Sequence, residues 1–158
     1  MITGKWKKPG EDITDALGVR MAVFVTEQGF PADTERDAMD DLSWHAVLYD
    51  EAARPVATGR IYWWEGEFHI GRVCVAQTAR GQGLGDLLMR MLLYKALDHS
   101  ARSVALSAQL QVLPFYARYG FQPDGEVYME DGVPHRAMRA LAEELRLEGT
   151  CATQKTGE

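Results

Sequence analysis

Arg80-Gly81-Gln82-Gly83-Leu84-Gly85 sets glycines at alternate positions behind an arginine, between an apolar run and a helical pattern. Glycine has no Cβ, so the backbone there can come close to a ligand. The first amides of a helix have no partners within it and point out of its start. Together these features suit a phosphate or pyrophosphate, and residues 80 to 86 are the expected anion site. A dinucleotide fingerprint needs Gly or Ala where Asp86 stands, which argues against that class. Other reactive side chains are ambiguous by type alone. His45, His69 and His135 fall on strand-like stretches, where a structural role is the commoner outcome. Cys74 sits among apolar neighbours, and Tyr116 lies between Phe115 and Tyr119 like a core aromatic. No His, Cys or Asp spacing matches a metal site.

The elements that must position these residues follow from periodicity. Phe68–Ala76 reads as a strand leading into the glycine loop. Leu84, Leu87, Leu88, Met91, Leu92 and Ala96 then give one apolar helical face, ending near Ser100, with Asp86, Arg90 and Asp98 on the wetter side. Upstream, Ile2–Trp6 is a short strand, and Glu11–Gln28 a helix with Ile13, Leu17, Met21 and Phe24 as its stripe. Gly29 suits the position past its end. Residues 30–42 form an acidic loop or short turn. Trp44–Asp50 and Pro55–Trp64 are strands, joined to each other and to Phe68–Ala76 by tight turns. Trp63 and Trp64, being adjacent, face opposite sides: one belongs to the core, the other to a cleft wall or a homodimer contact. Ser103–Ala108 must cross back as a parallel neighbour. Gln109–Tyr119 is a short helix capped by Gly120, and Phe121–Glu130 with Val133–Ala140 is a hairpin around Asp131-Gly132. Leu141–Leu147 adds a turn or two of helix.

The totals set limits. The 158 residues are 46% hydrophobic, enough for one domain with a core, here 1–147, followed by a polar tail, 148–158, read as disordered. A net charge of -6 argues against nucleic acid, fits a soluble protein and leaves open a cationic substrate. No run suits a membrane span, and residues 1–11 lack the apolar core of a signal peptide. Cys74 in a strand and Cys151 in the tail are poor disulfide partners, so a reducing, cytoplasmic setting is expected.

The order of elements over roughly residues 2–140 resembles the GCN5-related N-acetyltransferase (GNAT) superfamily. Arg80-x-x-Gly83-x-Gly85 is similar to its pyrophosphate motif, Val73-Cys74-Val75-Ala76 to the preceding strand, and Phe115-Tyr116-Ala117-Arg118-Tyr119-Gly120-Phe121 to its late segment. Arg20–Gly29, Leu106–Gln109 and Glu130–His135 look like the ElaA-like branch. The resemblance implies an α/β fold with a mixed, mostly antiparallel sheet, splayed around an acyl-CoA site and flanked by helices. It implies acetyl-CoA as co-substrate, with no metal, and direct transfer to a primary amine of a small molecule or peptide.

The roles it implies are these. The backbone of Val73, Cys74 and Val75 holds the pantetheine arm and supplies an oxyanion donor. Arg80, Gly81, Gln82, Gly83, Leu84, Gly85 and Asp86 hold the pyrophosphate, with the Asp86 side chain expected to turn outward. Gln109 stands where relatives place an asparagine on the pantetheine. Tyr116 protonates the leaving thiolate, which makes a cysteine nucleophile at Cys74 unnecessary. The base is open among His69, His135, Glu27 and water. Glu27 and His135 are expected on the acceptor side, and the acids of residues 27–41 favour a cationic acceptor. The alternative from another class is a non-catalytic acyl-CoA sensor, which would keep the phosphate loop and lose the acid. A purely structural protein would leave the glycine loop unexplained.

Overall fold

The computed structural model describes residues 1–147; the expected disordered tail and Cys151 lie outside them. An eight-stranded sheet runs through it. Its strands are β1 (Thr3–Lys7), β2 (Trp44–Tyr49), β3 (Pro55–Trp64), β4 (Glu67–Val75), β5 (Ser103–Gln109), β6 (Gln122–Pro123), β7 (Tyr128–Glu130) and β8 (Val133–Leu141). The order is β1-β2-β3-β4-β5-β8-β6, with β7 also on β8, and only β4–β5 is parallel. The helices are α1 (Thr14–Arg20), α2 (Leu84–Asp98) and α3 (Leu113–Ala117). Among the described residues no helix is long and apolar enough to cross a membrane.

α2 lies on one face of the sheet. Leu88, Leu92, Leu93 and Ala96 pack with Ala46, Leu48, Ala57, Ile61, Ile70 and Val104. Each fully buried leucine contributes about 2 kcal/mol of transfer free energy. The buried stripe is rotated from the expected one: Met89 and Leu93 are inside, while Leu87 is exposed. The expected wet side also fails at Asp86, which is buried.

The first helix starts at Thr14, where Asp12 accepts from the Thr14 amide (3.1 Å) and hydroxyl (2.6 Å). It then widens into a π-helical stretch, Met21–Glu27, in which the Gln28 amide donates to Val23 O, five residues back (3.0 Å). Arg20 is fully buried and Met21 exposed, the reverse of the apolar stripe. The reason is a long-range pairing: Arg20 meets Glu35 (2.8 Å) and Asp40 (2.7 Å). Trp63 and Trp64 are 54% and 44% exposed, so neither is core. Both pair with β4 beyond the end of the β2–β3 pairing at Ile61, and Trp63 packs edge-on to Phe68 at 5.0 Å.

The late hairpin forms as expected, with Asp131 (φ 50°) and Gly132 (φ 78°) giving the left-handed turn that matches strand twist. Gly120 has φ 100°, and a Cβ there would lie 2.2 Å from the Glu144 carbonyl oxygen. The chain after α3 therefore requires glycine. Residues 142–144 make one 3-10 turn in place of a longer helix.

The feature that shapes the site is the parting of β4 from β5. They pair at Phe68–Val104, His69–Ala105 and Ile70–Leu106, and then diverge. Beyond Ile70, β4 stays with β3 and β5 stays with β8. A bulge marks the divergence. Arg60 pairs with Gly71 and Thr58 with Cys74, so Gly59 alone opposes Arg72 and Val73. Arg72 takes φ 50° to accommodate this. A Cβ on Gly59 would meet the Leu92 side-chain end at 2.8 Å, so a larger residue there would displace Leu92 of α2. Bulges bend the strand that carries them.

Candidate active site

The parting opens a cavity of about 190 Å³, with Ile70–Val73 of β4 on one wall and Leu106–Gln109 of β5 on the other. The π-helical stretch brings Phe24 and Gln28 to its mouth, the following loop brings Phe30 and Glu35, and the late hairpin brings Glu130 and His135. Tyr116 of α3 also lines it. On β4 the Ala76 amide donates to Val56 O (2.8 Å) across to β3. By strand alternation, Val75 directs its backbone polar groups away from β3. Val75 O duly accepts from Arg80 Nε at 3.1 Å. Gln109 spans the gap, donating to Gln28 Oε1 (2.9 Å) and accepting from Gln111 (2.6 Å).

The glycine loop adjoins this cleft. Gly83 is left-handed (φ 76°) at the start of α2, no side chain caps that start, and the first helical bond runs from the Leu87 amide to Gly83 O. The amides before Leu87 are therefore those a helix leaves without internal partners. A Cβ on Gly81 would meet nothing within 4 Å, so its surroundings are open. A Cβ on Gly85 would meet Phe115 at 3.4 Å, an ordinary contact, so α3 packs close beside the helix start. The residues present thus fit a pyrophosphate.

Two loop residues depart from expectation. Asp86 turns inward, accepting from the Tyr119 hydroxyl and from Arg90 Nε (3.0 Å), with Arg118 at 3.8 Å. These partners compensate the charge that would otherwise oppose an anion. Arg80 forms a two-armed pair with Glu27, both contacts 2.6 Å. That pair, chiefly through its hydrogen bonds, raises the guanidinium and lowers the carboxyl. Glu27 is therefore committed to the loop arginine and lies off the cavity lining, where Gln28 stands instead.

Tyr116 is partly buried, and its hydroxyl makes no hydrogen bond among the described residues. Burial, then the neighbouring Cys74, pushes the phenol above its usual range. Burial raises the Cys74 thiol as well, so it stays un-ionised and unsuited to nucleophilic attack.

The histidines separate. His69 is not among the cavity-lining residues: it stacks on Tyr62 (5.4 Å between centroids) and its Nε2 donates to Trp64 O at 3.2 Å. It pairs with Ala105, at the closed end of the parting, so its expected role as base loses its geometry. His45 is buried against Asp40 O (3.0 Å), a structural role. His135 does line the cavity, with Nε2 3.4 Å from Glu130.

Of the acids of residues 33–41, Asp33 and Asp41 are exposed, while Glu35, Asp37 and Asp40 are held by arginines rather than left as an open field. Glu35 meets Arg20 and Arg72, Asp37 meets Arg60 (2.6 Å) and Arg72 (3.3 Å), and Asp40 meets Arg20 and Arg60 (2.9 Å). Burial alone would raise the Asp40 carboxyl. Hydrogen bonds from Arg20 and the Asp37 amide, with the charges of Arg20 and Arg60, instead hold it well below the carboxylate range. Arg72, Gln28, Phe30 and Glu130 were not singled out by the sequence. The Asp131-Gly132 turn held a clue to the last: its register sets Tyr128 opposite His135, and alternation puts Glu130 on the same face. Among the described residues no cluster of three acidic, His or Cys side chains suits a metal ion.

Residues 12–142 match the family described as acetyltransferase (GNAT) domain. The chain is similar to an uncharacterized N-acetyltransferase of Bacillus subtilis, YjcF, at 37% identity over 83% of this chain and 94% of that protein. It is similar in structure to an acyl-CoA N-acyltransferase from Pseudomonas aeruginosa, with TM-score 0.82, 34% identity, and coverage of 89% here and 99% there. Escherichia coli ElaA gives TM-score 0.78 at 34% identity, again covering 89% and 99%.

Proposed function

The chain belongs to the acetyltransferase (GNAT) family, and from that premise we propose that it carries acetyl from acetyl-CoA to the primary amine of a small molecule or peptide. The observation that carries this reading is the parting of β4 and β5 after Ile70–Leu106, beside an uncapped, glycine-rich helix start. Acyl-CoA supplies the activated thioester. The backbone of Val73 and Val75 offers donors and acceptors to the pantetheine arm. The amides of residues 82–86 hold the pyrophosphate, with Asp86 turned from it into Tyr119. A free strand amide near Val73 or Val75 steadies the developing oxyanion.

Tyr116 gives its proton to the departing sulfur. Its raised pKa keeps it protonated at neutral pH, so its hydroxyl gives up the proton only as another arrives from the new amide nitrogen. The presence of this tyrosine on the cavity favours an enzyme over a sensor. A reducing, cytoplasmic setting belongs to the same reading, supported by a buried free thiol at Cys74.

The test is a screen of amines and short peptides with CoA release as readout, paired with thermal shifts. Acetyl-CoA should stabilise the protein increasingly with concentration, and NAD and ATP much less. Gly83→Asp should abolish the acetyl-CoA shift. Equal shifts from all ligands, with no CoA released from any amine, would sink the proposal.

A further inference from the structure

We propose that His135 is the general base of the transfer and that Glu130 positions it and helps seat a protonated amine; this rests on the acyltransferase reading above. His135 is only 5% exposed, yet it opens on the same cavity as Tyr116. Its Nδ1 lies 2.8 Å from the Val133 carbonyl oxygen. A carbonyl oxygen only accepts, so Nδ1 carries the hydrogen and donates it. The neutral ring therefore keeps its lone pair on Nε2. That atom faces Glu130 Oε2 at 3.4 Å, and the Glu130 side chain is 47% exposed and reachable from solvent.

A lone pair and a carboxylate set face to face repel unless a proton or a donor comes between them. A primary ammonium ion brings both. It can donate to Glu130 and surrender a proton to Nε2, and the carboxylate then steadies the imidazolium. The rings beside it are Tyr128 of β7 (6.1 Å between centroids) and Phe30 of the loop after the π-helical stretch (6.4 Å), and Gln109 is its backbone partner on β5. Of these, only Tyr128 titrates, and its hydroxyl is engaged with Ser107. Glu130 is thus the charged group set beside Nε2. His69, hydrogen-bonded through Nε2 outside the cavity, and Glu27, bound to Arg80, are not in position to compete.

The protons balance as follows. The ammonium loses one to His135 Nε2, and the freed lone pair forms the N–C bond to the thioester carbonyl carbon. The C–S bond breaks and its electron pair leaves on sulfur. Sulfur takes the Tyr116 proton, and the Tyr116 oxygen recovers one from the new amide nitrogen. His135 then returns its proton to solvent, the single proton the overall reaction releases.

Two measurements test this on the whole chain. Imidazole NMR of the free protein should show neutral His135 with hydrogen on Nδ1 and none on Nε2; the opposite tautomer overturns the proposal. With an amine found in the screen, His135→Gln should lower kcat about a hundredfold near neutral pH while keeping the acetyl-CoA thermal shift. The deficit should shrink as pH rises toward about 10, where a primary amine loses its proton unaided. Because His135 is buried, Glu130→Gln provides a variant at an exposed side chain. It should fold, lose about tenfold in kcat and raise the acceptor KM, while keeping the acetyl-CoA thermal shift. Unchanged kcat and acceptor KM in both variants overturn the assignment while leaving the acyltransferase reading intact. A wild-type protein that releases no CoA with any amine overturns both.

Discussion

The arginine–carboxylate cluster beside the cleft and the cleft itself handle charge in opposite ways. In the cluster, Arg20, Arg60 and Arg72 are matched against Glu35, Asp37 and Asp40 at 2.6–3.3 Å, drawn from α1, β3, β4 and the loop between α1 and β2. Along the cleft, the polar groups are left partly open. The start of α2 has no cap, the Tyr116 hydroxyl makes no hydrogen bond among the described residues, and His135 stands off Glu130 by 3.4 Å. The difference separates two tasks. Charges that lock one another position backbone; groups left open are available to a substrate.

The comparison breaks most readily on the cluster side. Asp40→Ala leaves Arg20 and Arg60 buried without their shared partner and should cost about 3–5 kcal/mol in urea unfolding. A loss under 1 kcal/mol would mean that the cluster does little to hold the fold. On the cleft side, Tyr116→Phe should leave the melting temperature nearly unchanged and lower kcat by roughly ten- to a thousandfold. A phenylalanine variant with normal kcat would make water the acid. The contrast sharpens with pH. The Asp40 carboxyl is depressed in the folded state, so its stabilisation is present above its unfolded value of 3.8 and is lost as pH falls below it. Stability measured from pH 5 downward should therefore fall, and fall less steeply in Asp40→Asn.

The smallest effect belongs to the exposed pair at the glycine loop. Glu27→Gln removes an exposed partner from Arg80, a solvent-screened contact of the class that adds little to stability. Arg80 would then meet a phosphate uncompensated, and acetyl-CoA should bind about two- to fivefold tighter at low salt, with the gain fading as salt rises. Calorimetry at two ionic strengths reads this directly. A changed acceptor KM with unchanged acetyl-CoA affinity would return Glu27 to the acceptor side.

Local signals carried the frame. Alternating apolar residues and Asp131-Gly132 specified strands and their hairpin, and the glycines of residues 81–85 specified an open helix start. What escaped is set by residues distant in sequence. Arg20 looks like a helix surface residue until Glu35 and Asp40 are folded against it, and that burial reverses the expected exposure of Met21. Glu27 and Arg80 lie 53 positions apart, so no periodicity links them. His69 and His135 are both strand histidines in sequence. Only the limited β4–β5 pairing tells which one reaches the cavity. Asp86 sits at a helix start, yet the closure of α3 over Gly85 brings Tyr119 to it and draws it inside.

The bulge on β4 also bears on which length changes the chain can inherit. Opposite Gly59 the strand holds one residue more than its partner, and Arg60–Gly71 and Thr58–Cys74 are in register on either side. Deleting codon 72 would keep both of those registers and set Val73 directly across from Gly59, on the face where it already packs. The hairpin, the helix above it and the glycine loop would all survive in the reading frame. What would go is the bend that leads β4 away from β5. Removing that one residue should therefore keep the strand registers and narrow the opening, at the cost of the arginine that meets Glu35 and Asp37.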